Sequence, residues 1–254
     1  MLLVTIAVAL VFSLLRPFPQ PQSYHSFADR RSVFGISNFG DVASNLPFAI
    51  VGVWGITFLT SAAASPHFID QRERWPYLIA FAGLTLTFFG SSYYHLHPDN
   101  ARLVWDRLPM TLVFMSIVSV IIVERISLRA GLWLLPLLLL TGIASVLQWY
   151  ASELRGAGDL RFYAAVQAYS AVVLLVALLF PSRYSRGSDF AVVVGFYALA
   201  KTLELLDKPI LDFGHVVSGH TLKHLSAAAA GYWILRMLQK RRTIGEVEAV
   251  GVRK

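Results

Sequence analysis

The sequence predicts an all-α membrane protein built as a seven-helix bundle, and three observations carry that reading. The 254 residues are 56% hydrophobic and 15% charged, against about 25% charged in soluble domains. Uncharged runs recur along the chain, among them 28 residues at 42–69, 24 at 75–98, 23 at 130–152 and 21 at 162–182. A helix that crosses a bilayer needs about 20 such residues. Runs such as Leu134 to Leu140 are continuously apolar, whereas a membrane barrel would alternate polar and apolar positions.

Hydropathy and turn residues place the seven helices near 42–61, 77–96, 107–124, 130–149, 162–180, 189–206 and 217–238. The short connections leave no room for a second domain. The expected organisation is an apolar segment and external linker at 1–41, the helical domain at 42–238 and a basic cytoplasmic tail at 239–254. The apolar stretch 1–15 would be about 22 Å long as a helix, short of a roughly 30 Å hydrocarbon core. It reads as a signal anchor or a tilted eighth helix. It has no basic leading region and no small-x-small site at its end, directly before Arg16, which argues against cleavage.

Charge orients the chain. With the tail inside, 12 Lys and Arg face the cytoplasm (Arg72, Arg74, Arg125, Arg129, Arg183, Arg186, Arg236, Lys240, Arg241, Arg242, Arg253 and Lys254). The other side receives 8: Arg16, Arg30, Arg31, Arg102, Arg107, Arg155, Arg161 and Lys208. The net charge of +7 is therefore mostly topology signal plus a tail able to touch anionic lipid, and nucleic-acid binding is not implied. Zero cysteines exclude disulfides and thiolate metal sites, so a metal would rest on His, Asp or Glu.

Ionisable groups within spans are functional candidates because lipid makes them costly. Ser91 and His95 stand four residues apart near the outer end of the second helix, and His220 and His224 repeat that spacing at the start of the seventh. The i,i+4 spacing puts each pair on one helix face. In the expected topology the three histidines share one depth, which suits an open zinc site with a water as fourth ligand. Asp106, at the outer start of the third helix, would orient or deprotonate that water, whose pKa zinc lowers to about 7. Each residue also has an ordinary reading: a packed histidine, an N-cap for Asp106 ahead of Pro109, a small packing residue for Ser91. Convergence at one depth favours chemistry. His25, His67, His97 and His215 fall in loops and are assigned none. Lys201 and Glu204 read as a structural ion pair with Asp207 beyond them, and Asp159, Arg161 and Gln167 as residues able to line the same cavity.

Three strings in order, Gly90-Ser91-Ser92-Tyr93-Tyr94-His95, Asp106-Arg107-Leu108-Pro109-Met110 and His220-x-x-x-His224, resemble the signature of the alkaline ceramidases. Those enzymes belong to a superfamily of seven-helix membrane hydrolases that includes the adiponectin-type receptors. Ser44-Asn45-Leu46-Pro47-Phe48 is similar to the family's opening of the first main helix, and the resemblance runs from about Asp29 to Gly231. It implies that His95, His220 and His224 hold zinc and that Ser91 and Asp106 act on the water and the developing oxyanion. The implied reaction is hydrolysis of the ceramide amide to a sphingoid base and a fatty acid, from a membrane lipid substrate. Eukaryotic members of the family also carry an acidic, Trp-containing N-terminal stretch that binds calcium. Here the corresponding region offers only Asp29, Asn38 and Asp41, too few oxygens for an ion that takes six to eight, which argues against calcium control. The rival readings are a lipid-binding or receptor-type protein with a structural zinc, and a pigment or proton-coupled transporter using Lys201 and Glu204, which would leave the histidines without a use. The sequence carries no signal for oligomeric state.

Overall fold

In the computed structural model, which describes residues 2–245, the regular structure is helical. In chain order the helices are α1 (Leu2–Leu14), α2 (Phe39–Ala43), α3 (Leu46–Thr60), α4 (Arg74–Leu96), α5 (Asn100–Arg125), α6 (Leu128–Leu154), α7 (Arg161–Ala177), α8 (Asp189–Leu205), α9 (Asp207–Gly214) and α10 (Gly219–Lys240). The expected first helix is broken: Ser44 and Asn45 separate a short α2 from α3, with Pro47 in the first turn of α3, where its missing N–H costs nothing. Residues 246–254, including Arg253 and Lys254 of the expected tail, lie outside the described residues.

The chain runs up and down, and its connections gather at two ends. At one end Arg74 donates to Leu59 O, Arg125 to Phe180 O and Gly187 O, and Arg183 pairs with Glu73 at 2.6 Å. Tyr184 and Thr243 form an isolated antiparallel bridge at this end, and Arg241 Nε donates to His67 O. At the other end the segment 16–38 folds across the helix termini. Gln20 N donates to Glu153, His25 joins Tyr94 to Asn100, and Ala28 N donates to Asp207.

Three stretches, Phe39–Thr60, Asn100–Arg125 and Leu128–Leu154, are long and apolar enough to cross a membrane. Helices α4 and α10, with 23 and 22 residues, are long enough but carry Ser91, His95, His220, Lys223 and His224. Helices α7 and α8 have 17 residues each, about 26 Å of rise. The flanks of the bundle are apolar: Ile50, Trp54, Phe89, Leu137, Leu140 and Leu199 are all exposed. So much contiguous apolar surface marks a lipid-facing or partner-facing exterior. Inside, α5 is the most buried helix, packing most extensively on α4 and α6.

Helix α5 begins earlier than the sequence suggests, and its N-cap is Asp99, whose carboxylate accepts from Arg102 N at 2.7 Å. Asp106 is therefore a mid-helix residue and not a cap. Pro109 sits inside the helix and leaves the carbonyl of Trp105 without its usual i+4 donor. That carbonyl faces Gly90 of α4, where an added Cβ would come within 1.9 Å of it. The close approach seats Ser91 beside Asp106. Substituting Gly90→Ala should push α4 from α5, and we expect it to destabilise the protein by about 1–3 kcal/mol through overpacking and to lower any activity of the site. Thermal unfolding alongside metal content is the check, and a wild-type melting curve would refute the tight-packing argument.

Candidate metal centre

His95 comes from the last turn of α4, and His220 and His224 from the first turns of α10. Their ring centroids form a near-equilateral triangle, 4.9 Å from His95 to His220, 4.9 Å from His95 to His224 and 4.8 Å between His220 and His224. One ligand atom from each lies within 4.8 Å of the others, all three rings are buried, and among the described residues no other group of His, Asp or Glu converges in this way. His95 Nδ1 and His220 Nε2 are buried with no hydrogen-bond partner. Orphaned imidazole nitrogens are costly in a core, and three imidazoles converging on one point fit the donor set of a metal ion.

The surroundings orient the rings. Ser44 Oγ lies 3.1 Å from Asp41 O and 2.8 Å from His224 Nδ1; with the hydroxyl donating to the carbonyl, the imidazole donates from Nδ1. A proton on Nδ1 leaves Nε2 with a lone pair able to bind a metal, an arrangement typical of metal-ligating histidines. The break between α2 and α3 is what puts Ser44 there. Asp207 Oδ1 accepts from His220 N and Oδ2 from Ala28 N, tying α10 to the N-terminal segment. That tie needs Gly219, where an added Cβ would meet Leu203 O at 2.2 Å. Ser218 caps α10 through Thr221 N, Thr221 Oγ1 donates to Asp41, and Asn38 Nδ2 donates to His95 O. Phe27 covers the triangle, its ring centroid 4.6 Å from that of His95 and 4.5 Å from that of His220.

Ser91 and Asp106 are both buried and line one cavity with His224. The cavity has a volume of about 490 Å³ and is otherwise mainly apolar, with walls that include Phe81, Leu84, Phe114, Ile117, Leu174 and Ile234. All five residues singled out by spacing thus belong to one site. Gln167 lines the cavity as expected; Asp159 and Arg161 pair with each other at 2.8 Å beside α7 instead. The three candidate calcium ligands have other partners: Asp29 pairs with Arg31 at 2.6 Å, Asn38 with His95 O, and Asp41 with Thr221. The Arg31 hydrogen bond also holds the Asp29 carboxyl below its ordinary range. Lys201 pairs with Glu204 at 2.9 Å as expected, but Glu204 has a second ammonium, Lys223, also at 2.9 Å. Lys223, Phe27, Asn38 and Arg107 are site neighbours that no spacing rule picks out, because their partners are distant in sequence. Comparison with family models and with curated proteins returns no match to the chain.

Proposed function

We propose that this protein is a zinc-dependent intramembrane amidase that hydrolyses ceramide-like N-acyl lipids to an amine base and a fatty acid. The observation that carries the reading is a convergent histidine triad, one member of which, His224, lines a largely apolar cavity together with Ser91 and Asp106. Seven spans accompany it: α2 with α3, then α4, α5, α6, α7, α8 and α10, with α1 packed beside α7 and the site toward the external or lumenal side. The up-and-down course of the chain, the apolar flanks and the clustering of Arg72, Arg74, Arg125, Arg183 and Arg241 at the end opposite the histidines support that orientation.

His95, His220 and His224 would hold the zinc, which supplies a Lewis acid for the acyl carbonyl and a water acidic enough to attack at neutral pH. The rest falls to side chains. Asp106 accepts the proton of the attacking water and returns it to the leaving nitrogen. The Ser91 hydroxyl is positioned to donate to the oxygen that gains negative charge. The apolar walls hold the acyl chain and exclude bulk water.

The test pairs zinc content with fatty-acid release from a panel of ceramides, with and without a chelator. Stoichiometric zinc and chelator-sensitive release are expected. Asp106→Asn should retain zinc and lose about 10²–10⁴-fold in turnover, the usual contribution of a positioned acid or base. Zinc with no release from any lipid amide would refute the amidase and leave a lipid-binding or receptor-type protein.

A further inference from the structure

Arg107 follows Asp106 in α5 and is only 4% exposed. Nη2 donates to Gln20 Oε1, whereas Nη1 is buried with no partner. No carboxylate forms an ion pair with Arg107 among the described residues. The guanidinium instead lies over aromatic rings, 4.2 Å from the centroid of Trp149, 4.5 Å from Tyr163 and 5.8 Å from Tyr24. A guanidinium does not deprotonate in a protein, so this is a buried cation that the rings compensate only in part.

The charge around it deepens the imbalance. Arg107, Asp106, Lys201, Glu204 and Lys223 all line the cavity that holds Ser91 and His224. Lys201 and Lys223 share the single carboxylate of Glu204. Three cations thus face two carboxylates at the polar end of the cavity, before any metal adds further positive charge.

We propose that Arg107 Nη1 binds an oxyanion on the polar end of the amphiphile whose chain fills the cavity, which makes the preferred lipid amide one with an acidic group on its amine side. For turnover this rests on the amidase reading; for binding it does not. A guanidinium N–H facing a carboxylate or phosphate oxygen in a water-poor site gives a short, charge-assisted bond, and it gives discrimination because a neutral hydroxyl leaves the cation uncompensated. The aromatic rings and Gln20 fix the plane of the guanidinium of a residue that lines the cavity.

The test is binding to metal-stripped protein in neutral detergent, with two matched pairs as probes. N-hexadecanoylglycine and N-hexadecanoylethanolamine differ by a carboxylate in place of a hydroxymethyl group; hexadecanoate and hexadecanol differ likewise without an amide. Wild type should bind the glycine conjugate at least about tenfold more tightly than the ethanolamide, a charge-assisted bond's worth. Arg107→Gln should abolish that preference, and Arg107→Lys should keep part of it. Equal affinities in wild type would overturn the proposal whatever the variants do, as would a preference that survives in Arg107→Gln. A preference seen for hexadecanoate but absent from the amide pair would assign the site to a free fatty acid and overturn the acidic-headgroup assignment. Retained preference in a protein that cleaves no amide would refute the amidase reading alone.

Discussion

His220→Ala is expected to remove zinc and fatty-acid release together, leaving at most background hydrolysis. The substitution deletes one of three converging imidazoles while sparing the backbone N–H that Asp207 accepts, so the cap of α10 survives. It also removes a buried nitrogen that has no protein partner, and the apo fold should therefore tolerate the change. Two imidazoles do not make an adequate zinc site, and the lost ion takes with it both the polarised carbonyl and the acidified water. A graded companion comes from outside the ligand set. Ser44→Ala leaves all three ligands but frees His224 Nδ1 to choose its tautomer, and we expect about a 10–100-fold loss of zinc affinity, as for other residues that orient metal ligands. Metal analysis after dialysis against a weak chelator, with release measured on the same sample, separates the two variants. Wild-type release from zinc-free His220→Ala protein would end the metal mechanism.

The difference between those two residues is also the difference between what the sequence reveals and what it conceals. His220 and His224, or Ser91 and His95, share a face because an α-helix returns every 3.6 residues, so spacing alone brings them together. Asp106 joins them because α4 and α5 are consecutive and antiparallel, and a short connection fixes which ends meet. Ser44 is different. Its approach to His224 depends on a break between α2 and α3 that hydropathy does not register, since the whole stretch 42–61 reads as one apolar run. Arg107, Lys223, Asn38 and Phe27 acquire their meaning from partners between about 20 and 190 positions away, and no local pattern encodes those. The start of α5 is concealed for a related reason: Asp106 ahead of Pro109 has the form of a helix start, yet Asp99 is the cap, because the helix keeps Pro109 inside and uses the freed Trp105 carbonyl to seat Gly90.

The second large effect lies at the opposite end of the bundle. Arg241 and Glu124 form an ion pair that is 1% and 2% exposed. Arg241 Nε donates to His67 O, its guanidinium lies 3.8 Å from the ring centroid of Tyr184 and 4.4 Å from that of Phe68, and Tyr77 OH donates to Glu124 Oε1 at 2.7 Å. Such a pair gains little over apolar packing of the same shape, because both charges are desolvated. Removing one partner is another matter. Glu124→Ala leaves a guanidinium that cannot shed its charge sealed beneath three aromatic rings, and the expected cost is about 3–5 kcal/mol. In thermal unfolding that corresponds to a fall of about 10 °C for a chain of this size. The double substitution Glu124→Leu with Arg241→Met should recover most of the loss, since it withdraws both charges and refills the space. This asymmetry distinguishes an ion pair that fixes the register of the chain after α10 against α4 and α5 from one that drives folding. A double variant as unstable as Glu124→Ala would show that the pair itself, and not the stranded charge, supplies the stability; a single variant that melts with wild type would show that the inner end is open to water.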